Sequence, residues 1–106
     1  MLSPAPAIKK AEAKVLKLPA VLTHDQANAC VQSLQLALQA LAADGQPVVA
    51  DAGDLTRFDS SALAVLLACR RQAQALGRAF YVQGMPPRLR QLAGLYGIAS
   101  LIPSAP

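Results

Sequence analysis

Hydrophobic positions along the chain change period several times, and each change marks an element. Val15-Leu-Lys-Leu18 alternates as a strand does and stops at Pro19. Ala20-Val-Leu22 is apolar but short, and predicts a bend or a second brief strand. The period then switches. Ala27, Cys30, Val31, Leu34, Leu38 and Leu41 recur at three- and four-residue spacing, forming the stripe of an amphipathic helix. Thr23-His-Asp-Gln26 supplies a capping box for its start, and Asp25 suits the positive end of the helix dipole. Gly45 is placed to end this helix in a left-handed cap.

Pro47-Val-Val-Ala50, continuing into Asp51-Ala52, is the unbroken apolar run that a buried central strand requires. A polar loop, Gly53 to Asp59, follows. A second helix is predicted from Ser60 to Leu76, with Gly77 as its stop. Leu63, Leu66, Leu67, Ala73 and Leu76 form its inner stripe, widened by Ala62, Val65 and Cys69. Its first half is apolar nearly all round, so it should be buried on more than one side or cover a partner. Ala79 to Val82 predicts a third strand. Pro86-Pro87 opens a third helix over Arg88 to Tyr96, with Leu89, Leu92, Ala93 and Tyr96 inward. Gly97 ends it, and Ile98 to Ile102 packs back as a short closing segment. Strands alternating with helices predict an α/β domain with a mainly parallel sheet and right-handed crossovers. Residues 1–12, with Pro4 and Pro6, are expected to form a flexible arm, 13–102 the domain, and 103–106 a flexible tail.

Composition narrows the functional classes. The length, 106 residues, suits one domain. With 54% hydrophobic and 15% charged residues the chain has the material for a core, which excludes the disordered class. The net charge of +4 raises the question of nucleic acid. The basic residues are scattered, however, from Lys9, Lys10, Lys14 and Lys17 to Arg70, Arg71, Arg78, Arg88 and Arg90. Aromatics at 4% leave no stacking platform, so a solvated surface and no nucleic-acid partner are expected. The first ten residues lack the charged-then-apolar order of a signal peptide. The longest strongly apolar run, Ala62 to Cys69, falls far short of a membrane span. A soluble cytoplasmic protein without direct membrane insertion is the expectation. Cys30 and Cys69 sit in helical stretches with no CxxC pair or Cys/His cluster, so they read as small buried hydrophobes.

The inventory for catalysis is thin. His24, the one histidine, lies beside a helix cap with no triad pattern near it. There is no glycine-rich phosphate loop. No enzyme activity and no cofactor are therefore expected. Asp51, Asp54 and Asp59 gather at a strand end, where open α/β sheets bind ligands. They could hold a metal or serve as turn and cap residues. Aspartate is a common turn former, so the second reading is favoured and no metal site is expected.

The informative stretch is Leu55-Thr-Arg-Phe-Asp-Ser-Ser-Ala-Leu-Ala-Val-Leu-Leu67. An N-cap at Asp59 or Ser60 followed by a buried helix accounts for Asp59 and one serine. A second serine is left at an exposed helix start, beside an acidic loop. Phosphorylation there would add close to two negative charges. Free helix amides would tolerate the phosphate, but it would repel an acidic partner.

Asp59-Ser60-Ser61-x-Leu63, preceded by a short strand and the loop Asp54-Leu-Thr-Arg-Phe58, resembles the signature of the STAS family. That family includes the anti-sigma-factor antagonists of bacteria and cytoplasmic domains of sulfate transporters. The resemblance runs from about Val15 to Ile102. The closing run Leu89-Arg-Gln-Leu-Ala-Gly-Leu-Tyr-Gly-Ile98 is similar to the MlaB-like subgroup that works with phospholipid-transport ABC systems. One departure is Ala62, where many family members carry glycine. The resemblance implies a single STAS-type α/β domain, its small parallel or mixed sheet covered by helices mainly on one face. It implies a non-enzymatic adaptor for the cytoplasmic ATPase of an ABC lipid-transport complex, held peripherally at the inner membrane through that complex. Leu55, Thr56, Arg57, Phe58, Asp59, Ser60, Ser61 and Leu63 would make the docking surface. The alternative it implies is an anti-sigma-factor antagonist, meeting an anti-sigma factor and a serine kinase and switched by phosphorylation of Ser60.

Overall fold

In the computed structural model, which describes residues 14–40 and 45–104, each period change meets an element. Strand β1 is Lys14–Lys17 and β2 is Val21–Leu22. Helix α1 follows as His24–Gln39, then β3 as Val48–Asp51 and β4 as Arg57–Phe58. Helix α2 is Ser61–Ala75, β5 is Phe80–Gln83, and helix α3 is Pro87–Leu95. A 3-10 turn, Ala99–Leu101, closes the described chain.

Strands β1, β3 and β5 form one parallel sheet in that order. Register puts Leu16, Ala50 and Val82 in one row, and all three are buried. With Val48 and Phe80 they belong to one apolar cluster with Leu34 and Leu38 of α1, Leu63 and Leu66 of α2, and Leu89 and Ala93 of α3. Side chains alternate across a strand, so all three helices cover this one face. The intervening row, Val15, Val49 and Tyr81, lies on the other face, where Val15 is exposed and Tyr81 half-buried. The first half of α2 is buried at Ala62, Leu63, Val65, Leu66 and Cys69, as expected of a helix lying between its neighbours and the sheet.

Several expectations are corrected. Leu76 and Tyr96, taken as inward, are 44% and 60% exposed. Each is the C-cap of its helix, with ψ near zero, so the helical period no longer governs where the side chain points. Helix α1 ends at Gln39 with Ala40 as its C-cap. Gly45 does have a positive φ of 73°, but it follows that cap by several residues and does not close the helix. Leu41, expected in the stripe, and residues 1–12 lie outside the described residues, as do the last two of the tail.

Two further differences shape the molecule. The loop from Gly53 to Asp59 contains strand β4, which pairs in parallel with β2 through Val21–Arg57 and Leu22–Phe58. Pro103 and Ser104, expected to be untethered, are bonded along β5. The Val82 N–H donates to the Pro103 carbonyl at 2.9 Å, and Val82 forms a parallel bridge with Ser104. Arg90 Nη2 donates to Ser104 Oγ at 2.9 Å.

Candidate functional site

The signature stretch begins where β3 leaves the sheet. Asp51 Oδ1 accepts the Gly53 N–H at 2.9 Å, an Asx turn that starts the loop. The loop then crosses to Ala20, whose carbonyl accepts the N–H groups of Thr56 at 2.9 Å and Arg57 at 3.1 Å, and the Thr56 hydroxyl at 3.2 Å. These bonds seat β4 on β2. Leu22, fully buried, and Phe58, half-buried, add the apolar contact beneath it.

Because β2 leads into α1 and β4 leads into α2, this pairing sets the two helix starts side by side. Asp59 joins them. Its Oδ1 accepts the Ser61 N–H at 2.8 Å and its Oδ2 accepts the His24 N–H at 3.1 Å. One carboxylate thus satisfies an open amide on each helix and faces the positive end of both dipoles. The Ser61 N–H is the main cause that holds the Asp59 carboxyl below the usual carboxylate range. Partial desolvation opposes it, and the His24 N–H and Ser61 hydroxyl assist. On the α1 side the expected capping box is present. Gln26 Oε1 accepts the Thr23 N–H at 3.0 Å and the Thr23 hydroxyl at 2.6 Å.

With Asp59 in the capping role, Ser60 is spared. It has helical dihedrals, makes no side-chain cap bond and is exposed. Thr56 and Arg57 are exposed beside it, while Phe58, Asp59 and Ser61 are half-buried. Leu55 and Leu63, expected on the docking surface, are 6% and 3% exposed and belong to the core. They hold the shelf from beneath. Ala62 is fully buried, so its methyl group faces the core.

The three acids do separate work. Asp51 makes the Asx turn, Asp59 caps two helices, and Asp54 pairs with Lys17 at 3.1 Å on an exposed surface where such a pair contributes little. Among the described residues no group of three or more His, Cys, Asp or Glu side chains is arranged to hold a metal ion.

One part of this region escaped sequence reasoning. Gly84, with φ +68°, packs its backbone against Gly53: a Cβ at Gly84 would lie 2.9 Å from Gly53 Cα and N. The Ala52 N–H donates to the Gln83 carbonyl at 2.8 Å just below. The loop after β5 is therefore locked to the loop after β3. A glycine between a strand and a proline-led helix is the signal that could have shown it.

Comparison with known proteins now places the chain. It matches the family model described as "Mlab, STAS domain" over residues 8–103. The chain belongs to that STAS family. None of the curated proteins matches it. Among solved structures it is similar to an anti-sigma-factor antagonist (STAS) domain protein from Planctomyces limnophilus, with TM-score 0.74 and 17% identity, covering 92% of this chain and 85% of that one. It is similar to the anti-sigma factor antagonist SpoIIAA in its unphosphorylated form, with TM-score 0.68 and 18% identity, covering 93% and 84%. A sulfate transporter family protein from Wolinella succinogenes follows, with TM-score 0.65 and 10% identity, covering 88% and 73%. At these identities the likeness is one of fold: a single α/β STAS-like domain with parallel strands and three helices.

Proposed function

We propose that this STAS-domain chain is a non-enzymatic adaptor that docks onto the cytoplasmic nucleotide-binding ATPase of an ABC phospholipid-transport complex and stabilises or regulates it. The observation that carries the reading is the exposed Ser60 shelf, whose helix amides are already capped by Asp59 and whose floor is core. Such a surface is preorganised, so little ordering cost opposes docking. The match to the MlaB family supports the choice of partner. Thr56, Arg57, Phe58 and Ser61 flank Ser60, and Arg57 sits on the rim, where a charge acts on encounter more than on affinity. The chain reaches the inner face of the membrane through this partner. No helix among the described residues is long and apolar enough to cross it.

Affinity purification of the tagged protein from its native cells, with mass spectrometry of what stays bound, tests this. Recovery of an ABC ATPase with its permease supports the reading. Recovery of an anti-sigma factor or a serine kinase overturns it in favour of the second reading, an anti-sigma-factor antagonist switched at Ser60. That alternative draws on the exposed Ser60 hydroxyl and on the fold shared with SpoIIAA, which was solved unphosphorylated.

A further inference from the structure

The far end of α2 carries a second polar concavity that the docking reading does not use. A cavity of about 230 Å³ is lined by Arg70, Gln74 and Arg78 from the helix and its exit, by Phe80 and Tyr81 of β5, and by Ser100 with Pro103. Its chemistry is one-sided: two guanidinium groups, an amide and a hydroxyl line it, and no described carboxylate does.

Two features build this site. Helix α2 ends with the Gly77 N–H on the Gln74 carbonyl and the Arg78 N–H on the Ala73 carbonyl, both 2.9 Å, a Schellman closure that turns Arg78 back beneath the helix. Arg78 is 5% exposed, and its Nη1 donates to the Gln46 carbonyl at 2.8 Å, so its guanidinium is held in place. The second feature is the edge of β5. Ala79 and Gln83 turn their carbonyls to β3, so the residues between, Phe80 and Val82, turn their N–H groups outward. The Val82 N–H is taken by Pro103, whereas the Phe80 N–H lies on the same edge, beside the cavity that Phe80 and Pro103 both line.

We infer that this cavity binds a phosphate-type oxyanion, with Arg70 and Arg78 supplying charge and Gln74, Ser100 and the Phe80 N–H supplying directed donors. Guanidinium groups match the planar pairs of oxygens on such an anion, and a backbone N–H at a strand edge adds a fixed bond. The site stands at the opposite end of α2 from Ser60. The 15 residues of that helix span about 22 Å, so occupancy at one end leaves the other accessible. The inference therefore does not depend on the partner met at Ser60.

Backbone-amide NMR of the full chain, titrated with inorganic phosphate at constant ionic strength, tests it. Saturable shifts centred on Phe80 and Ser100 are expected. Arg70→Gln should weaken binding by about tenfold, the worth of one charge-assisted bond. Arg71→Gln removes a neighbouring charge that does not line the cavity, and should leave binding unchanged. In parallel, co-sedimentation with phosphatidylglycerol vesicles, against phosphatidylcholine vesicles, separates two sources of the same chemistry. Phosphate shifts without co-sedimentation assign a soluble phosphate. Phosphatidylglycerol-dependent co-sedimentation that Arg70→Gln abolishes assigns a lipid headgroup. Absence of both overturns the inference. So does equal weakening by Arg70→Gln and Arg71→Gln, which would mean diffuse positive charge and no site.

Discussion

The Asp59 carboxylate accepts the backbone N–H of His24 at 3.1 Å across 35 residues of sequence. The same group caps α2 through Ser61, so one side chain fixes the mutual position of two helix starts and leaves the serine between them unburdened. The consequences can be measured.

Replacing Asp59 with Asn keeps the shape but places an amide donor against one of the two N–H groups. A lower Tm is expected at neutral pH. The pH dependence follows from the depressed carboxyl. The unfolded chain takes up a proton near the ordinary value of 3.8 while the folded one still resists. The stabilisation is thus complete above that value and is lost as pH falls through the depressed one. Urea unfolding of wild type and Asp59→Asn should show a gap at neutral pH that closes in acid. A gap independent of pH would show that the carboxylate charge is not the cause.

Ser60→Glu tests the docking surface apart from the fold. The side chain is exposed, and a negative charge at a helix start is tolerated by the dipole. Tm should be unchanged while partner affinity falls by about tenfold or more, as for a residue at the centre of an interface. Intact affinity in a pull-down would remove Ser60 from the interface.

Gly84→Ala brings together two penalties, a left-handed backbone and a methyl group 2.9 Å from the Gly53 backbone. A loss of about 2 kcal/mol or more is expected from the denaturant midpoint. Gly97→Ala is the control. Its φ is also positive, at +70°, but nothing lies within 4 Å of the new methyl, so only the conformational cost of about 1 kcal/mol remains. Equal losses would mean that the two loops do not press on each other.

Cys69 is 1% exposed, and burial pushes its thiol up to about 12. Alkylation of the native protein should reach Cys69 only as fast as the protein unfolds, with Cys30, half-buried, labelled first. The shift also sets an alkaline window. Above the ordinary thiol value of 9.0 the unfolded chain ionises and the folded one does not, so this contribution to stability falls as pH rises toward 12. Cys69→Ala should flatten that decline in a pH series of unfolding curves.

The elements with a continuous apolar pattern were legible in the sequence: β3, α1, the buried half of α2 and the proline-led α3. Periodicity reports which side of an element meets the core, and those residues do meet it. It failed at Leu76 and Tyr96, where the helix has already unwound. Strand β4 was illegible because two residues carry no period and its bonds run to the carbonyl of Ala20, which no side chain announces. At the site, residue types foretold the exposed serine and the capping aspartate. The second amide on Asp59 belongs to the backbone of His24, and only the pairing of β2 with β4 brings it near. Leu55 and Leu63 were read as surface because they sit in the signature. Their depth comes from the tertiary packing of α2.

The short bridge between Val82 and Ser104 has a colloidal consequence. A parallel three-stranded sheet has two unsatisfied margins, each able to recruit a strand from another molecule. Here the end of the chain closes much of one margin itself. The other, along β1, has no partner strand among the described residues, and Lys17 and Pro19 stand on or just past it, a charge and a missing donor that discourage pairing. Trimming the chain before Pro103 would reopen the β5 margin beside the exposed Leu95 and Tyr96 helix end, and a shortened protein should self-associate at concentrations the full chain tolerates.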